Sequence, residues 1–241
     1  MRVIVCENYE EVSDKANELM RFLLESNPQA VLGLATGSSP IGLYQRMIAD
    51  NKAGLVSFKQ VVTYNLDEYV GLPKDHSQTY YTFMHENLFD HIDIPKNSTH
   101  IPDGTAADPE LAAAQYEEAL SKVQVDLQIL GIGSNGHIGF NEPGTSFDAT
   151  THVTPLTQKT ISDNARFFDD DLSKVPTKAI TMGIADILRA KRVLLIATGE
   201  KKQQAIWGLV KGPVTEECPA SALKDHKDVT VIIDKAAAGK L

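Results

Sequence analysis

The stretch from Val31 to Ile48 reads VLGLATGSSPIGLYQRMI, and its two halves carry different hydrophobic patterns. Val31–Ala35 is a continuous apolar run, which is typical of a strand buried on both faces of a parallel sheet. After a short turn of small and hydroxylated residues, Ile41, Tyr44 and Ile48 recur at helical spacing. The stretch therefore predicts a strand, a tight turn and a helix, which is the repeating unit of a doubly wound α/β fold.

Similar apolar runs occur along the rest of the chain and predict further strands of the same kind. They are Val3–Val5, Val61–Tyr64, Leu127–Ile132, Val193–Ala197 and Val229–Ile233. Helical patterns lie between them, on a stripe from Val12 to Leu23 and over Pro109–Val123 and Lys201–Lys211. We expect a Rossmann-like, doubly wound fold with a largely parallel sheet, helices on both faces and one domain over residues 1–241.

The segment Thr157–Thr181 is less regular and carries three consecutive aspartates, Asp169, Asp170 and Asp171. One interpretation is a helix and a loop on the protein surface. The other is a mobile lid over the active site, because lids are drawn from such irregular segments. Both interpretations stay open from the sequence.

The bulk properties exclude several classes of protein. A net charge of −9 argues against a nucleic-acid surface, which needs clustered Lys and Arg. No apolar run approaches the roughly 20 residues needed to cross a membrane. The N-terminus turns acidic after five residues, unlike a signal peptide, and the two cysteines, Cys6 and Cys218, cannot build a disulfide framework. These features predict a cytoplasmic protein without a nucleic-acid or membrane partner.

Ligands of such sheets bind beyond the carboxyl ends of the strands, so the residues that follow each strand are the candidates. Thr36, Gly37, Ser38 and Ser39 follow the first strand and precede a helix. The free N–H groups and the dipole at the start of a helix can hold a phosphate. The alternative is structural, because Ser39 is also a good N-cap and small residues are common in tight turns.

Two further strand ends carry acid–base side chains. Asp67 and Glu68 follow Val61–Tyr64, either as solvated turn residues or with a general base among them. The sequence GIGSNGHIGFNEPG, residues 131–144, follows Leu127–Ile132 and supplies His137 and, five residues later, Glu142. Its glycines allow the backbone to approach a ligand closely, and the glutamate can orient the imidazole.

A fourth strand end supplies a cation. Lys201 and Lys202 begin the helix after Val193–Ala197, where a positive charge opposes the helix dipole. One lysine directed at an anion would explain this position, and a solvated pair is the alternative. Arg166 is a further candidate donor. The histidines show no metal-ligand spacing, and the glycines of residues 131–136 only imitate a dinucleotide motif, so we expect neither a metal nor another cofactor.

The motifs together resemble the glucosamine-6-phosphate deaminase (isomerase) family. The resemblance is carried, in the family's order and over about residues 1–235, by LATGSSPIGLY, YNLDEYVGL, LGIGSNGHIGFNEPG, NARFFDDDLSKVPTKAITMGIADIL and TGEKKQQAI. It implies a cofactor-free enzyme that isomerises and deaminates glucosamine 6-phosphate to fructose 6-phosphate and ammonia. It also implies that His137 opens the sugar ring with the support of Glu142, that Asp67 moves a proton between C2 and C1, and that the phosphate is held by Thr36–Ser39, Arg166 and Lys202.

One position departs from the family's pattern. Asn135 stands two residues before the histidine, where many members have aspartate. Asparagine can hydrogen-bond but cannot add a charge beside the imidazole. The substitution bears on how the ring is opened, and we keep Asn135 among the catalytic candidates.

Two other functions fit parts of the pattern. The 6-phosphogluconolactonases resemble this chain in fold and phosphate loop, but Tyr69 and the sequence Ile138–Glu142 depart from their motifs. A sugar-phosphate-sensing domain of a transcriptional regulator is the other alternative. The chain begins directly with its first strand, and Asp67, His137 and Glu142 occur together, which favours an enzyme.

The resemblance also bears on regulation. Larger members of the family are hexamers activated by N-acetylglucosamine 6-phosphate, which basic residues after the Glu-Pro-Gly segment and a C-terminal extension hold. Here Thr145–Gln158 contains no Lys or Arg, His152 is its only possible cation, and the chain ends eight residues beyond the last apolar run, at Leu241. We expect the short, non-allosteric type of enzyme, working as a monomer.

Overall fold

The computed structural model describes residues 1–165, 168 and 170–241. The strands are β1 (Arg2–Cys6), β2 (Val31–Leu34), β3 (Val62–Asn65), β4 (Asp67–Tyr69), β5 (Thr99–His100), β6 (Leu127–Leu130), β7 (His152–Pro155), β8 (Lys178–Thr181), β9 (Val193–Ala197) and β10 (Val229–Asp234). The α-helices are α1 (Tyr9–Ser26), α2 (Ile41–Lys52), α3 (Tyr80–Asn87), α4 (Pro109–Ser121), α5 (Gln158–Asn164), α6 (Ile184–Leu188) and α7 (Gln203–Val210). Short 3-10 helices cover Phe89–His91, Lys96–Ser98, Leu172–Lys174, Glu200–Lys202 and Pro219–Asp225.

Seven strands form the central sheet, in the order β1-β10-β9-β6-β2-β3-β5, and every pairing in it is parallel. All residues of β6 and β9 are buried, so helices and loops cover both faces of the sheet. The predicted doubly wound α/β fold is confirmed. All six predicted strands are present, and two of the predicted runs, Val31–Ala35 and Leu127–Ile132, end earlier than expected, at Leu34 and Leu130.

The helices beside β2 follow from local sequence. Asn8 caps α1 by accepting the N–H of Glu11 at 3.0 Å, and the apolar stripe that begins at Val12 is buried against the sheet. Helix α2 begins at Ile41 with Pro40 in the N-cap position and no side-chain cap. The interpretation of Ser39 as an N-cap is therefore wrong, and its hydroxyl is not used for helix capping.

A second sheet of three antiparallel strands, in the order β4-β8-β7, was not expected from the sequence. It places Asp67 of β4 opposite Thr181 of β8. The last four residues of Thr157–Thr181 therefore belong to a strand, while α5 and Leu172–Lys174 cover other parts of the segment. Whether the segment acts as a lid stays a prediction, as does the assignment of the whole chain to one domain. Among the described residues, no helix is long and apolar enough to cross a membrane.

Candidate active site

A cavity of about 270 Å³ opens at the carboxyl ends of β2, β3, β6 and β9, which are neighbours in the central sheet. The chain leaves β2 for β3 on one side and returns to β6 on the other, so the cavity lies at the topological switch point. Its wall contains residues that follow each of these strands, namely Ala35–Ser39, Leu66 and Asp67, Gly131–Gly133 and Lys202. The four strand ends singled out from the sequence therefore meet at one site.

The loop after β2 forms the part of the wall suited to an anion. Gly37 has a φ of 89°, which a residue with a side chain adopts only with strain. Lys202 lines the same cavity, and its ammonium donates to the carbonyl of Ile132 at 2.6 Å, which fixes the end of this long side chain. Burial lowers the pKa of Lys202. A lysine on the same cavity as a loop that begins a helix is a favourable arrangement for a phosphate.

Asp67 is buried, with 6% of its surface exposed, and it lines the cavity. Burial raises the pKa of its carboxyl to about 8, and the charge of Glu68 adds to this effect. Glu68 is 4% exposed, and its carboxylate accepts the backbone N–H groups of Tyr69, Tyr80 and Tyr81 at 2.8, 2.9 and 2.8 Å. The pair is therefore not a solvated turn: one carboxyl faces the cavity and the other anchors the start of α3.

His137 lies on the opposite side of the cavity and is backed by two polar residues. Its Nδ1 lies 3.2 Å from Oε1 of Glu142, and Asn135 donates from Nδ2 to Oε2 of Glu142 at 2.7 Å. Nδ1 is buried, which leaves Nε2 as the ring nitrogen available to a ligand. The ring packs on Gly133, where an added methyl group would collide with it. This close approach explains the glycine.

The turn between His137 and Glu142 is tied to the strand that pairs with Asp67. Gly139 has a φ of 58°, and a Cβ there would lie 2.9 Å from Thr181 Oγ1 and 3.5 Å from Asp67 Oδ2. The N–H of Phe140 donates to the same threonine hydroxyl at 3.1 Å. Asn141 donates from Nδ2 to Ile138 and Met182 at 2.9 and 2.8 Å. These contacts set the distance between the imidazole and the aspartate.

The structure brings together most of the residues predicted from the sequence. Those that line the cavity are Thr36, Gly37, Ser38, Ser39, Asp67, His137 and Lys202. Asn135 and Glu142 do not line the cavity; Glu142 contacts the imidazole, and Asn135 contacts Glu142. Arg166 lies outside the described residues. Lys202 ends the 3-10 helix Glu200–Lys202 and precedes α7, instead of lying within the first turn of an α-helix.

Sequence reasoning missed two aromatic residues of the wall, Tyr80 and Phe140. Their rings stack with centroids 6.1 Å apart, and the Tyr80 hydroxyl is hydrogen-bonded to the side chains of Tyr69 and Thr36. Phe140 lies inside the glycine-rich sequence of residues 131–144, but nothing in the spacing of that sequence indicates that its ring faces the cavity. Tyr80 follows Thr79, whose hydroxyl caps α3, and this cap was the one local signal of the helix.

Two other features bound the chemistry. Among residues 1–165, 168 and 170–241, no three His, Cys, Asp or Glu side chains are grouped so that they could hold a metal ion. A larger cavity, about 350 Å³, lies on the other side of β4 beside Lys74, His100 and Gly104. Of the candidates from the sequence only Glu68 lines it, and that carboxylate is occupied by N–H groups at the start of α3, so the size of this cavity does not make it the active site.

The fold and the site together define the class of the protein: an α/β enzyme with acid–base side chains and an anion-binding loop at the switch point of its sheet. Residues 7–232 match the family described as glucosamine-6-phosphate isomerases/6-phosphogluconolactonase. The chain belongs to this family.

Curated relatives share about half of the sequence over its whole length. Glucosamine-6-phosphate deaminase from Streptococcus thermophilus is 53% identical over 241 residues and covers 100% of both chains. The deaminase from Thermoanaerobacter sp. (strain X514) is 51% identical over 239 residues, covering 99% of this chain and 94% of the relative.

Solved structures give the same fold. A structure described as a monomeric glucosamine-6-phosphate deaminase superimposes with a TM-score of 0.96 at 45% identity, with 100% of both chains covered. The 6-phosphogluconolactonase from Trypanosoma brucei superimposes with a TM-score of 0.82 at 20% identity, covering 100% of this chain and 98% of its own. The second likeness shows the fold alone.

Proposed function

We propose that this chain is a glucosamine-6-phosphate deaminase, which converts glucosamine 6-phosphate and water to fructose 6-phosphate and ammonia. The observation that carries the proposal is the meeting of Asp67, His137 and Lys202 with the loop Thr36–Ser39 on one cavity. Relatives that are 51% and 53% identical over nearly the whole chain carry this activity in their names. The names of the relatives support the choice of substrate, and the geometry supports the assignment of the steps.

The phosphate of the substrate would occupy the loop end of the cavity. Backbone N–H groups of Gly37, Ser38 and Ser39 supply donors there, with the hydroxyls of the loop and the ammonium of Lys202. The phosphate takes no part in the bond changes. Its binding energy instead holds C1 and C2 of the sugar between the aspartate and the histidine.

His137 would open the sugar ring. Opening moves a proton from the C1 hydroxyl to the ring oxygen, and one imidazole nitrogen can relay such a proton. Nε2 is the nitrogen left for this work, because Nδ1 lies against Glu142. Asn135 holds the glutamate in place from its far side. The product of this step is an open chain with a carbonyl at C1, which makes the proton on C2 removable.

Asp67 would carry out the proton transfer that follows. Its carboxylate takes the proton from C2 while the C1 oxygen gains a proton from the substrate's own ammonium group, which gives an enolamine, and the carboxyl then returns its proton to C1. The C2–N bond is then a protonated imine, and addition of water to C2 releases the nitrogen as ammonia and leaves the ketone of fructose 6-phosphate. Burial raises the pKa of Asp67 to about 8, which makes its carboxylate a stronger base than an exposed one. One carboxylate at C1 and C2 suffices for this transfer.

The first experiment measures ammonia release from glucosamine 6-phosphate, with unphosphorylated glucosamine as the comparison. We expect turnover of the phosphate ester and much weaker use of the free sugar. Asp67→Asn should bind substrate while losing turnover by on the order of 100- to 10,000-fold. Asp90→Asn, an exposed aspartate paired with His85, is the matched control and should keep full activity. No ammonia release by the unaltered chain would overturn the proposal.

The two alternative functions, a lactonase and a sugar-phosphate sensor, predict different results in the same assay. A lactonase would hydrolyse 6-phosphogluconolactone without releasing ammonia from the amino sugar. A sensor domain would bind the sugar phosphate without turning it over. We also propose that the enzyme acts as a cytoplasmic monomer without a cofactor, supported by the likeness to a structure described as monomeric. Sedimentation of the purified chain and activity after exhaustive EDTA treatment test the assembly and the metal independence.

A further inference from the structure

The loop that would hold the phosphate has carbonyl oxygens as well as N–H groups. Carbonyl oxygens repel an anion, so a cradle made of N–H groups works only if the neighbouring carbonyls point away from the ligand. Two carbonyls of the loop between β2 and α2, those of Ala35 and Ser38, have side-chain donors from outside the loop. Both donors are tyrosine hydroxyls.

The Ala35 carbonyl is held by Tyr44 of α2. The hydroxyl donates to it at 2.6 Å, and the tyrosine is fully buried in the core between α2 and the sheet. Burial raises the pKa of this phenol well above its ordinary value, so it remains a donor throughout the working pH range. The contact fixes the point at which the chain leaves β2.

The Ser38 carbonyl is held by Tyr9, the first residue of α1. The Tyr9 hydroxyl donates to this carbonyl at 3.0 Å and accepts the N–H of Gly42 at 2.7 Å. Gly42 is in the first turn of α2, where N–H groups have no acceptor within the helix. One hydroxyl thus satisfies an orphan donor of α2 and ties a carbonyl of the loop to α1. The close packing of Gly42 on Ser13 and Tyr9 leaves no room for a side chain.

We propose that Tyr9 is a positioning residue for phosphate recognition, acting together with Tyr44 through the backbone of the loop. The proposal rests on the function proposed above, which places the phosphate at this loop. Ser38 lines the cavity and Tyr9 does not. The proposed effect of Tyr9 is therefore indirect: by holding the Ser38 carbonyl, its hydroxyl would keep the N–H groups of Gly37, Ser38 and Ser39 free to point at the ligand.

The test is removal of one hydroxyl. Tyr9→Phe keeps the ring and its packing, and Tyr9 is only half-buried, so we expect the variant to fold. The expected result is a KM for glucosamine 6-phosphate that rises by about three- to tenfold, the factor that one neutral hydrogen bond is worth, with a smaller change in kcat. The dissociation constant of inorganic phosphate, measured by calorimetry, should rise by the same factor. Tyr44→Phe should weaken the binding of inorganic phosphate in the same way.

Tyr116→Phe is the matched control. The Tyr116 hydroxyl also donates to the carbonyl at a strand end, that of Asn65 at 2.6 Å, but on β3 and away from the loop. We expect it to lower stability without changing the affinity for inorganic phosphate. An unchanged phosphate affinity in Tyr9→Phe, or an equal loss in Tyr116→Phe, would overturn the proposal. Calorimetry needs no turnover, so absence of deaminase activity with normal phosphate binding would count against the proposed function and leave the role of Tyr9 testable.

Discussion

Oε1 of Glu142 lies 3.2 Å from Nδ1 of His137. The other oxygen of this carboxylate accepts a hydrogen bond from Asn135 at 2.7 Å, so both of its oxygens are positioned. Nδ1 is buried and makes no hydrogen bond of good geometry to any described residue, so it is the charge of the nearby carboxylate that favours the tautomer with its proton on Nδ1. Nε2 is then the ring nitrogen left for a ligand in the cavity. The departure at Asn135 leaves this arrangement intact, because an amide can orient the glutamate without adding charge.

Glu142→Gln tests this relationship. The substitution keeps the size of the side chain but removes the charge that selects the tautomer. We expect kcat to fall by on the order of 100- to 10,000-fold with little change in KM, since Glu142 does not reach the substrate. Glu118→Gln, an exposed glutamate paired with Lys122 on α4, is the control and should behave as the unaltered protein. A kcat within a few-fold of normal would remove Glu142 from the mechanism.

Glu68→Gln should change the pH dependence of the rate. Burial raises the pKa of Asp67 to about 8, and the adjacent Glu68 charge raises it further than burial alone. Asp67 must be ionised to act as a base, so kcat/KM should fall as the pH drops below this value. Removing the Glu68 charge should move that acidic limb to lower pH, but not to the range of an exposed aspartate, because the larger effect of burial remains. If the substitution only loosened the start of α3, the rate would fall but the acidic limb of the kcat/KM profile would stay at the same pH.

Asp67→Asn should stabilise the protein, and the gain should depend on pH. The folded-state pKa of Asp67, about 8, lies above the ordinary value of 3.8. Between these two values the folded state holds a proton that the unfolded state has released, so the free energy of unfolding falls as the pH rises through this window. Asparagine does not ionise, so the free energy of unfolding of Asp67→Asn does not fall for this reason. Urea unfolding at pH 5 and pH 9 should show an advantage that grows to on the order of a few kcal/mol at the higher pH. Parallel stability curves would contradict the raised pKa.

The central sheet could be predicted because its strands are apolar on both faces. β9 is five buried apolar residues, and no other element fits such a run between two helices. The second sheet could not be predicted, because its strands are not continuous apolar runs. β4 is the polar triplet Asp67-Glu68-Tyr69, and its burial is a consequence of tertiary packing that local sequence does not record. β7 and β8 carry mixed residues, and β8 lies inside a segment without clear periodicity.

The site divides in the same way. Asp67, His137 and Lys202 could be found because each follows a strand, and strand ends converge in a parallel sheet. The residues that set their positions could not. Tyr9 reaches Ser38 across 29 positions of the chain, and Thr181 reaches the N–H of Phe140 across 41. Such contacts depend on how helices and sheets pack, and neither the hydroxyl nor its carbonyl partner has a pattern of its own.

Ligand binding should slow amide exchange in the segment 157–177. Leu156, Ile161 and Phe168 form one apolar cluster with Tyr69, against which Tyr80 and Phe140 of the cavity wall pack. A ligand that fixes these two rings should therefore stabilise the cluster and the segment above it. The probe is the amino-alditol 6-phosphate, which has no C1 carbonyl and cannot react. Peptides from β10 serve as the reference, because no residue of this strand lines the cavity. Unchanged exchange at saturating ligand would favour a static surface segment.

The last prediction is that this enzyme shows hyperbolic kinetics and no activation by N-acetylglucosamine 6-phosphate. An activator phosphate needs cationic donors, and Thr145–Gln158, the stretch that supplies them in the larger relatives, contains no Lys or Arg. His152 is the one side chain there that could become cationic, and its Nδ1 already lies 2.7 Å from the carbonyl of Thr150.

Backbone donors alone would have to hold the activator, and a helix end contributes only about 0.3–1 kcal/mol to binding an anion. Coupling between two global states takes about 1–3 kcal/mol of differential binding, so too little remains to drive a switch. Initial rates over a range of glucosamine 6-phosphate, with and without the acetylated sugar phosphate, measure both properties. We expect a Hill coefficient of about one in either case, because one active site per chain without coupling gives simple saturation. Sigmoidal rates that become hyperbolic when the activator is added would show that an effector site exists elsewhere on the protein.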